Sequence, residues 1–232
     1  MKPGNTKAIE EMFNTISSKY DFLNDIFSFG LHRLWKRKML NILNPTFGER
    51  WLDLCCGTGD MSILLAEYMK NSENIVGLDS ASQALSIAKG RSKKKYSSIQ
   101  WINGDALKTN LSSNQFDGFI IAYGLRNLSS CELGLKEAFR ILKPGGRAGI
   151  LDFRSFEGIS LEGIFQKIYL SLYVVPFASF FGLGKEYSYI KKSLDNFPSD
   201  SKQIRLALAA GFKKAEYKII AMGQMGILLL EA

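Results

Sequence analysis

The sequence has few cysteines, and their positions fit no structural framework. Its 232 residues include three, Cys55, Cys56 and Cys131, of which two are adjacent and the third is distant. This pattern excludes a zinc-ligand spacing and a set of paired disulfides, and it fits a reducing, intracellular compartment. There is no internal repeat or low-complexity tract. Residues 1–10 are polar and mixed in charge, unlike the apolar core of a signal peptide.

The composition is that of an ordinary folded chain. Hydrophobic residues make up 46% and charged residues 22%, which excludes a wholly disordered protein. The length predicts one large domain, or one domain with an insertion. The 30 basic residues exceed the 22 acidic ones, for a net charge of +8. Such a charge favours an anionic partner but does not choose among nucleic acid, anionic lipid and an acidic ligand.

The hydrophobic pattern changes near residue 50. Residues 1–45 have helical periodicity and are predicted to form an N-terminal helical cap. From Trp51 onward, short apolar runs alternate with helical stretches, which predicts a parallel sheet with helices on both faces. The predicted strands are 51–55, 75–79, 99–103, 116–122 and 147–153. Two later runs, 213–220 and 226–231, predict an antiparallel hairpin at the edge of the sheet.

A glycine-rich turn lies between the first predicted strand and the helix that follows. Gly57 and Gly59 flank Thr58 and permit a close approach of a ligand to the backbone. Ser62 replaces the third glycine of the dinucleotide pattern, which favours a nucleoside over a pyrophosphate. Asp79 ends the second predicted strand, where a carboxylate can accept both ribose hydroxyls. A tight turn followed by a helix-capping aspartate explains the same residues without a ligand.

A second polar turn follows the third predicted strand. Gly104-Asp105-Ala106 lies at the carboxyl edge of the sheet, where the Asp105 carboxylate can accept from an exocyclic amine. A plain Gly-Asp turn is the alternative.

These segments, together with Leu142-Lys143-Pro144-Gly145-Gly146, resemble the class I S-adenosylmethionine-dependent methyltransferases. Further motifs resemble the ubiquinone/menaquinone biosynthesis C-methyltransferases, from about Phe13 to near the C-terminus. They are the segments 20–25, 28–36, 124–128, 187–190, 197–199 and 210–212. The resemblance implies a Rossmann-like sheet of seven strands, mostly parallel, with an antiparallel C-terminal hairpin. It also implies that residues 154–198, aromatic-rich and too long for a simple loop, form a helical substrate-side insertion.

The resemblance implies S-adenosylmethionine as the methyl donor and implies no metal. The donor-binding positions it implies are Gly57, Thr58, Gly59, Asp79, Asp105, Ala106 and Ala122. The family often has a serine where this chain has Ala122, so we expect a backbone contact there. The adjacent Cys55 and Cys56 are interpreted as core packing.

The implied reaction is methylation of a ring carbon, converting demethylmenaquinol to menaquinol, with a benzoquinol of ubiquinone biosynthesis as the alternative acceptor. The ring carbon must be activated by weakening its phenolic proton, and the reacting atoms must be held in line. Arg126 and Asn127 are the predicted catalytic residues. Arg126 could stabilise a phenolate or orient a water, but its high pKa argues against a base. An Arg-Asn turn that bonds backbone carbonyls is the alternative.

Two residues of the N-terminal cap are predicted on the substrate side. His32 is the only histidine and could transfer a proton near neutrality, although a surface or capping role fits it equally well. Tyr20 belongs to a family motif in the helices expected to close over the site.

The lipophilic acceptor predicts a cytoplasmic enzyme in peripheral contact with a membrane. The aromatic stretch 164–183 fits this contact, as do the basic residues Arg33, Lys36, Arg37 and Lys38. A lid core explains the stretch equally well, and Pro176 argues against a spanning helix. The sequence leaves open whether the protein forms a homodimer. Rival hypotheses are an RNA methyltransferase, a nicotinamide-dependent dehydrogenase and a non-catalytic partner. We expect no nucleic-acid partner, because no appended basic RNA module is present.

Overall fold

The computed structural model describes residues 6–158 and 160–232, and the side chains of these except 6–9, 13, 16–21, 185 and 186. The helices in this part of the chain are α1 (Thr6–Ser28), α2 (Leu31–Leu43), α3 (Asp60–Met69), α4 (Ser82–Ser92), α5 (Cys131–Ile141), α6 (Leu161–Tyr169), α7 (Val175–Phe180), α8 (Gly184–Asp195) and α9 (Asp200–Ala210). The strands are β1 (Trp51–Leu54), β2 (Ile75–Asp79), β3 (Gln100–Asn103), β4 (Phe116–Ala122), β5 (Leu142–Phe153), β6 (Lys214–Ile220) and β7 (Met225–Glu231).

The strands form one sheet in the order β3-β2-β1-β4-β5-β7-β6. The first five strands pair in parallel, whereas β7 runs antiparallel between β5 and β6. β1 is buried along its whole length, as a central strand covered on both faces must be. The predicted fold class, with its antiparallel C-terminal hairpin, is therefore confirmed.

The fifth strand begins earlier than the sequence predicts. Leu142 already pairs with Phe116, and a bulge follows before Arg147 pairs with Gly118. Gly145 takes a φ of +76° within this segment, and its N–H donates to the Ala232 carbonyl. The proline and glycines therefore end α5 but open a bulged strand directly rather than a loop.

Among the described residues, the three largest hydrophobic clusters show how the elements pack. One contains residues of α5 and α9 on one face of the sheet, and a second contains residues of α2 and α3 on the other. The third joins α1 to the inserted helices through Leu23, Leu170, Val174 and Tyr187. The N-terminal cap and the insertion thus share a core of their own.

Helices α6, α7 and α8 lie within the insertion, and Pro176 does not interrupt the helical run that contains it. Residues Leu161–Phe180 form one continuous run, because the π-helical turn Leu170–Val174 precedes the proline. Within that turn the Val175 N–H donates to the Leu170 carbonyl, five residues back. Proline has no backbone N–H to donate to the preceding turn, and its ring clashes with that turn in a regular α-helix. The wider π-turn accommodates the proline because it relieves this clash.

Gly118 tests the packing of the central sheet. A methyl group at this position would lie 2.4 Å from the indole of the fully buried Trp51. We expect Gly118→Ala to lower the free energy of unfolding by about 1–3 kcal/mol in urea titrations. Gly90→Ala is the matched control, since Gly90 is an exposed glycine within α4 with no atom within 4 Å. In the control, the free energy of unfolding should rise by about 0.5–1 kcal/mol. Equal stability of the two variants would contradict the close contact between Gly118 and Trp51.

Candidate functional site

A pocket lies at the carboxyl ends of β1, β2 and β4, where the turns of a parallel sheet converge. Six of the seven predicted donor residues line it: Gly57, Thr58, Asp79, Asp105, Ala106 and Ala122. The structure thus brings together turns that are far apart in the sequence. We refer to this cavity as the donor pocket.

Asp79 and the glycine turn are joined directly. The Asp79 Oδ2 atom accepts the Gly57 N–H at 2.8 Å, and Oδ1 accepts the Ala81 N–H at 2.8 Å. Burial raises the pKa of this carboxyl group. Gly57 has a φ of +53°, and no atom lies within 4 Å of where a Cβ would be. The turn therefore leaves open space beside an anchored carboxylate, which still has lone pairs for the hydroxyls of a nucleoside.

Gly59 does not line the donor pocket. It has a φ of +79°, and a Cβ there would lie 2.5 Å from the Trp101 ring and 2.9 Å from Ala88. This glycine is required by packing against β3 and α4. The sequence could not separate this requirement from a ligand contact, because both produce a glycine at the same turn.

The remaining predicted donor residues contribute different groups. Thr58 is buried, and its Oγ1 accepts from the Arg91 guanidinium at 3.1 Å. Asp105 is exposed, and its Oδ1 accepts the Leu107 N–H at 2.9 Å. Ala106 is buried and Ala122 presents no hydroxyl, so an adenine ring would meet apolar surface and one carboxylate here.

Lys36 lies in the donor pocket, which corrects its prediction as a membrane-facing residue. Its side chain is buried, and Nζ lies 2.5 Å from Asp60 Oδ2 at the start of α3. Burial by itself would raise the pKa of Asp60, but the Lys36 and Arg91 charges lower it to about 2. Lys36 shares the apolar face of α2 with Met39 and Leu40, and this periodicity was the available signal in the sequence.

Asp53 is a further buried acid in the lining of the pocket that the sequence analysis did not single out. The Ser62 hydroxyl donates to its Oδ2 at 2.6 Å, and burial raises the pKa of this group to about 7. Burial also raises the pKa of the Cys55 and Cys56 thiols well above the usual value. Both thiols therefore stay protonated, which agrees with packing rather than reactivity.

A second cavity, of about 740 Å³, lies beneath the N-terminal helices and the insertion. We call it the acceptor cavity. Its lining is mainly aromatic and aliphatic, and includes Met12, Phe27, Trp35, Phe153, Phe165, Tyr169, Leu170 and Met225. Tyr123 and Asn127 line both cavities, so the two compartments meet at the turn after β4.

Arg126 and Asn127 line the acceptor cavity and also hold their own turn together. The Arg126 guanidinium forms a buried ion pair with Asp152, and its Nη1 donates to the Tyr123 carbonyl at 3.0 Å. The Asn127 amide donates to the same carbonyl at 3.0 Å. Both residues therefore line the acceptor cavity and also bond the backbone of their own turn, and their catalytic role stays a prediction. Asp152 was not singled out, although an acid within the apolar strand β5 was a visible signal.

His32 is buried and lines the acceptor cavity, so the structure does not support a surface role. Its Nε2 lies 2.9 Å from Asp25 Oδ1. Burial, followed by the Lys36 charge, lowers the pKa of His32 to about 4. Tyr20 lies in α1, and its side chain is outside the described part of the structure.

Comparison with known proteins gives one consistent result. The sequence model of the ubiE/COQ5 methyltransferase family matches residues 1–229. A 2-phytyl-1,4-naphthoquinone methyltransferase of Synechocystis is 41% identical over 227 residues, covering 97% of this chain and 95% of that protein. The chloroplastic 2-phytyl-1,4-beta-naphthoquinone methyltransferase of Arabidopsis thaliana is 38% identical, covering 94% and 85%.

Solved structures show the same fold at low sequence identity. A SAM-dependent methyltransferase of Thermotoga maritima superposes with a TM-score of 0.64 at 19% identity, covering 95% of this chain and 98% of that one. Phosphoethanolamine N-methyltransferase 2 of Haemonchus contortus, in complex with S-adenosyl-L-methionine, has a TM-score of 0.66 at 14% identity, covering 85% and 52%. These likenesses identify the class I methyltransferase fold.

Asp79 provides the test of the donor pocket. We expect Asp79→Ala to weaken S-adenosylhomocysteine binding about 10- to 100-fold in calorimetric titrations, because it removes charged hydrogen bonds to the ribose and frees the glycine turn. Asp195→Ala is the control, since Asp195 is an exposed carboxylate at the end of α8. Unchanged affinity in Asp79→Ala would refute this assignment of the pocket.

Proposed function

The chain belongs to the ubiE/COQ5 methyltransferase family of S-adenosylmethionine-dependent quinone C-methyltransferases, and on that premise we propose that its acceptor is a naphthoquinol with an isoprenoid tail. The proposed reaction converts demethylmenaquinol to menaquinol, as a demethylmenaquinone methyltransferase does. The curated relatives named above carry the same naphthoquinone ring in their names, with a phytyl tail. This favours the naphthoquinol over the benzoquinol alternative.

The observation that carries the proposal is the acceptor cavity and its junction with the donor pocket. Its volume of about 740 Å³ and its apolar lining suit a fused ring and the first units of a tail. The junction at Tyr123 and Asn127 would let a ring carbon approach the donor while the tail lies among Phe27, Tyr169 and Phe165.

The polar groups near this junction suit carbon methylation. Bound S-adenosylmethionine supplies an electrophilic methyl group on a sulfonium. Arg126 is positioned by Asp152 and stabilises the negative charge that develops on a ring oxygen. Asn127 orients the same oxygen or a water. The new carbon–carbon bond forms as the carbon–sulfur bond breaks, and the ring then loses the proton of that carbon.

Arg126 tests the proposed chemistry. We expect Arg126→Ala to lower kcat about 10²- to 10³-fold with a reduced, short-chain 2-prenyl-1,4-naphthoquinol, because one electrostatic stabiliser is lost. S-adenosylhomocysteine affinity and the melting temperature show whether the variant is folded. Arg205→Ala removes an exposed arginine of α9 and should keep wild-type kcat. Full activity in Arg126→Ala would contradict the proposed role.

The ring is tested separately by competition. Equal amounts of a 2-prenyl-naphthoquinol and a prenylated benzoquinol are offered to the wild-type enzyme, and the methylated products are measured by mass spectrometry. The proposal expects the naphthoquinol product to dominate. Dominance of the benzoquinol product would favour the alternative acceptor, and no product from either would overturn the proposal.

We also propose that the enzyme is cytoplasmic and attaches peripherally to a membrane through the helical run Leu161–Phe180. By length and composition alone this run could cross a membrane, which is weak evidence of spanning. Its apolar residues divide between two faces, because Leu170, Val174 and Ala178 are buried in the protein. The exposed face carries Leu161, Ile164, Phe165, Ile168, Leu172 and Phe180. A helix with one face buried in protein and an apolar face outward is suited to lie in the interface.

Membrane attachment is tested by vesicle flotation with an anionic phospholipid mixture. We expect the double change Leu172→Glu and Phe180→Glu to abolish co-flotation, because two carboxylates would have to enter the acyl region. Both residues are strongly exposed, so folding should be kept. Phe47→Glu is the control, an equally exposed aromatic residue before β1. Flotation that survives the double change would reject this surface.

A further inference from the structure

Helix α2 contributes side chains to both cavities. Lys36 lines the donor pocket, and His32, one helical turn earlier, lines the acceptor cavity. Residues four apart on a helix share a face. His32 therefore lines the same cavity as Tyr123 and Asn127, which form its junction with the donor pocket.

The hydrogen bonds of His32 define which nitrogen carries its proton. Its Nε2 lies 2.9 Å from Asp25 Oδ1, and an ionised carboxylate can only accept. Nε2 is therefore the protonated nitrogen, and Nδ1 carries a lone pair. Within the described residues Nδ1 is buried and has no hydrogen-bond partner. Leaving a buried polar atom without a hydrogen-bond partner costs free energy. A ligand in the cavity that His32 lines can supply the missing partner.

Asp25 is itself held in place. The Arg33 guanidinium donates to Asp25 Oδ1 at 2.9 Å from Nε and to Oδ2 at 2.5 Å from Nη2. The carboxylate thus spans an exposed arginine and a buried imidazole. Such a carboxylate orients a histidine, fixes its tautomer and stabilises the imidazolium that forms when the free nitrogen takes a proton.

We propose that His32 is the general base that accepts the ring-hydroxyl proton of the acceptor on Nδ1, with Asp25 as its positioning residue. The inference rests on the proposed quinol acceptor and deepens it. The hydroxyl proton moves to Nδ1 as the ring carbon bonds the methyl group and the carbon–sulfur bond breaks. The ring then loses its C–H proton to water, and the oxygen regains a proton from the imidazolium. The turnover therefore releases one proton in total.

Burial above all keeps His32 neutral, and hence able to accept a proton, throughout the physiological range. Burial and the Lys36 and Arg33 charges lower its pKa, while Asp60 and Asp25 act in the opposite direction. The resulting pKa is about 4. Protonation would occur only as the pH falls through that value, so activity that depends on the neutral ring should be constant above about pH 5.

Other groups of the acceptor cavity are poor bases. Arg126 stays protonated and is paired with Asp152. Burial raises the pKa of Tyr169 to about 12 and also raises that of Tyr189, so both remain phenols. Glu162 is exposed at the rim.

His32→Ala and His32→Gln test the proposal with the reduced 2-prenyl-naphthoquinol as probe. We expect kcat to fall about 10²- to 10⁴-fold in both variants at pH 7. The rate of each variant should then rise about tenfold per pH unit toward the pKa of the phenol, near 10, because only acceptor that is already ionised reacts. The wild-type rate should stay flat between pH 5 and pH 8. A purely structural role would not produce this change of pH profile.

Binding is followed separately through the fluorescence of Trp35, which lines the cavity. His32→Gln keeps a hydrogen-bond acceptor but no base, so it should bind a redox-stable 4-methoxy-1-naphthol more tightly than His32→Ala without recovering kcat. Asp25→Asn should lower kcat about 10- to 100-fold. Arg205→Ala, the exposed arginine of α9 used above, is the control and should change kcat less than about threefold.

The outcomes separate this inference from the function on which it rests. Wild-type enzyme that fails to methylate the naphthoquinol would remove the proposed function. If the wild-type enzyme methylates the naphthoquinol but the His32 variants keep kcat within threefold and a flat pH profile, only the general-base role of His32 is refuted.

Discussion

The ion pair between Lys36 and Asp60 is the contact on which the site depends. It joins α2 of the N-terminal cap to the residue that follows the glycine turn, and Arg91 of α4 reaches the same carboxylate. Lys36 is buried and Asp60 is half-buried, so loss of the Asp60 carboxylate would leave the Lys36 ammonium buried without its charge partner, which is destabilising. The pair therefore keeps α2 over the donor pocket. Since His32 lies one turn earlier on the same face, it also fixes a wall of the acceptor cavity.

The turn after β4 is the second constraint, because it forms the boundary between the two cavities. Tyr123 takes a φ of +62°, a left-handed conformation that costs a bulky residue about 1–3 kcal/mol. Its N–H donates to the Leu151 carbonyl at 2.7 Å, and its own carbonyl accepts from Arg126 and Asn127. These bonds hold the strained residue where both compartments can contact it. The side chains with a proposed role in the chemistry thus also stabilise the turn that carries them.

Local patterns predicted the elements well. Alternating apolar runs located the seven strands of the sheet to within a few residues, and helical periodicity located helices within residues 1–45. The errors arose at residues whose strong local preferences were overridden by the surrounding tertiary structure. Pro176 lies within a continuous helix because a π-turn precedes it, and Pro144 lies in a strand because a bulge absorbs the extra residues. Gly59 was assigned to a ligand, although its close neighbour is the Trp101 ring.

The sequence by itself determined the fold class and the donor pocket, because both follow from short-range patterns: strand-turn-helix units, and polar residues at the ends of strands that share one edge. Only the tertiary structure showed which side chains line the acceptor cavity and which charged groups are paired around the site. Lys36 and Asp60 are 24 residues apart, and Arg126 and Asp152 are 26 apart. A side chain's charge state and role depend on its burial and on its partners in space. The sequence shows which charged groups are present, but it does not show which of them are buried next to one another.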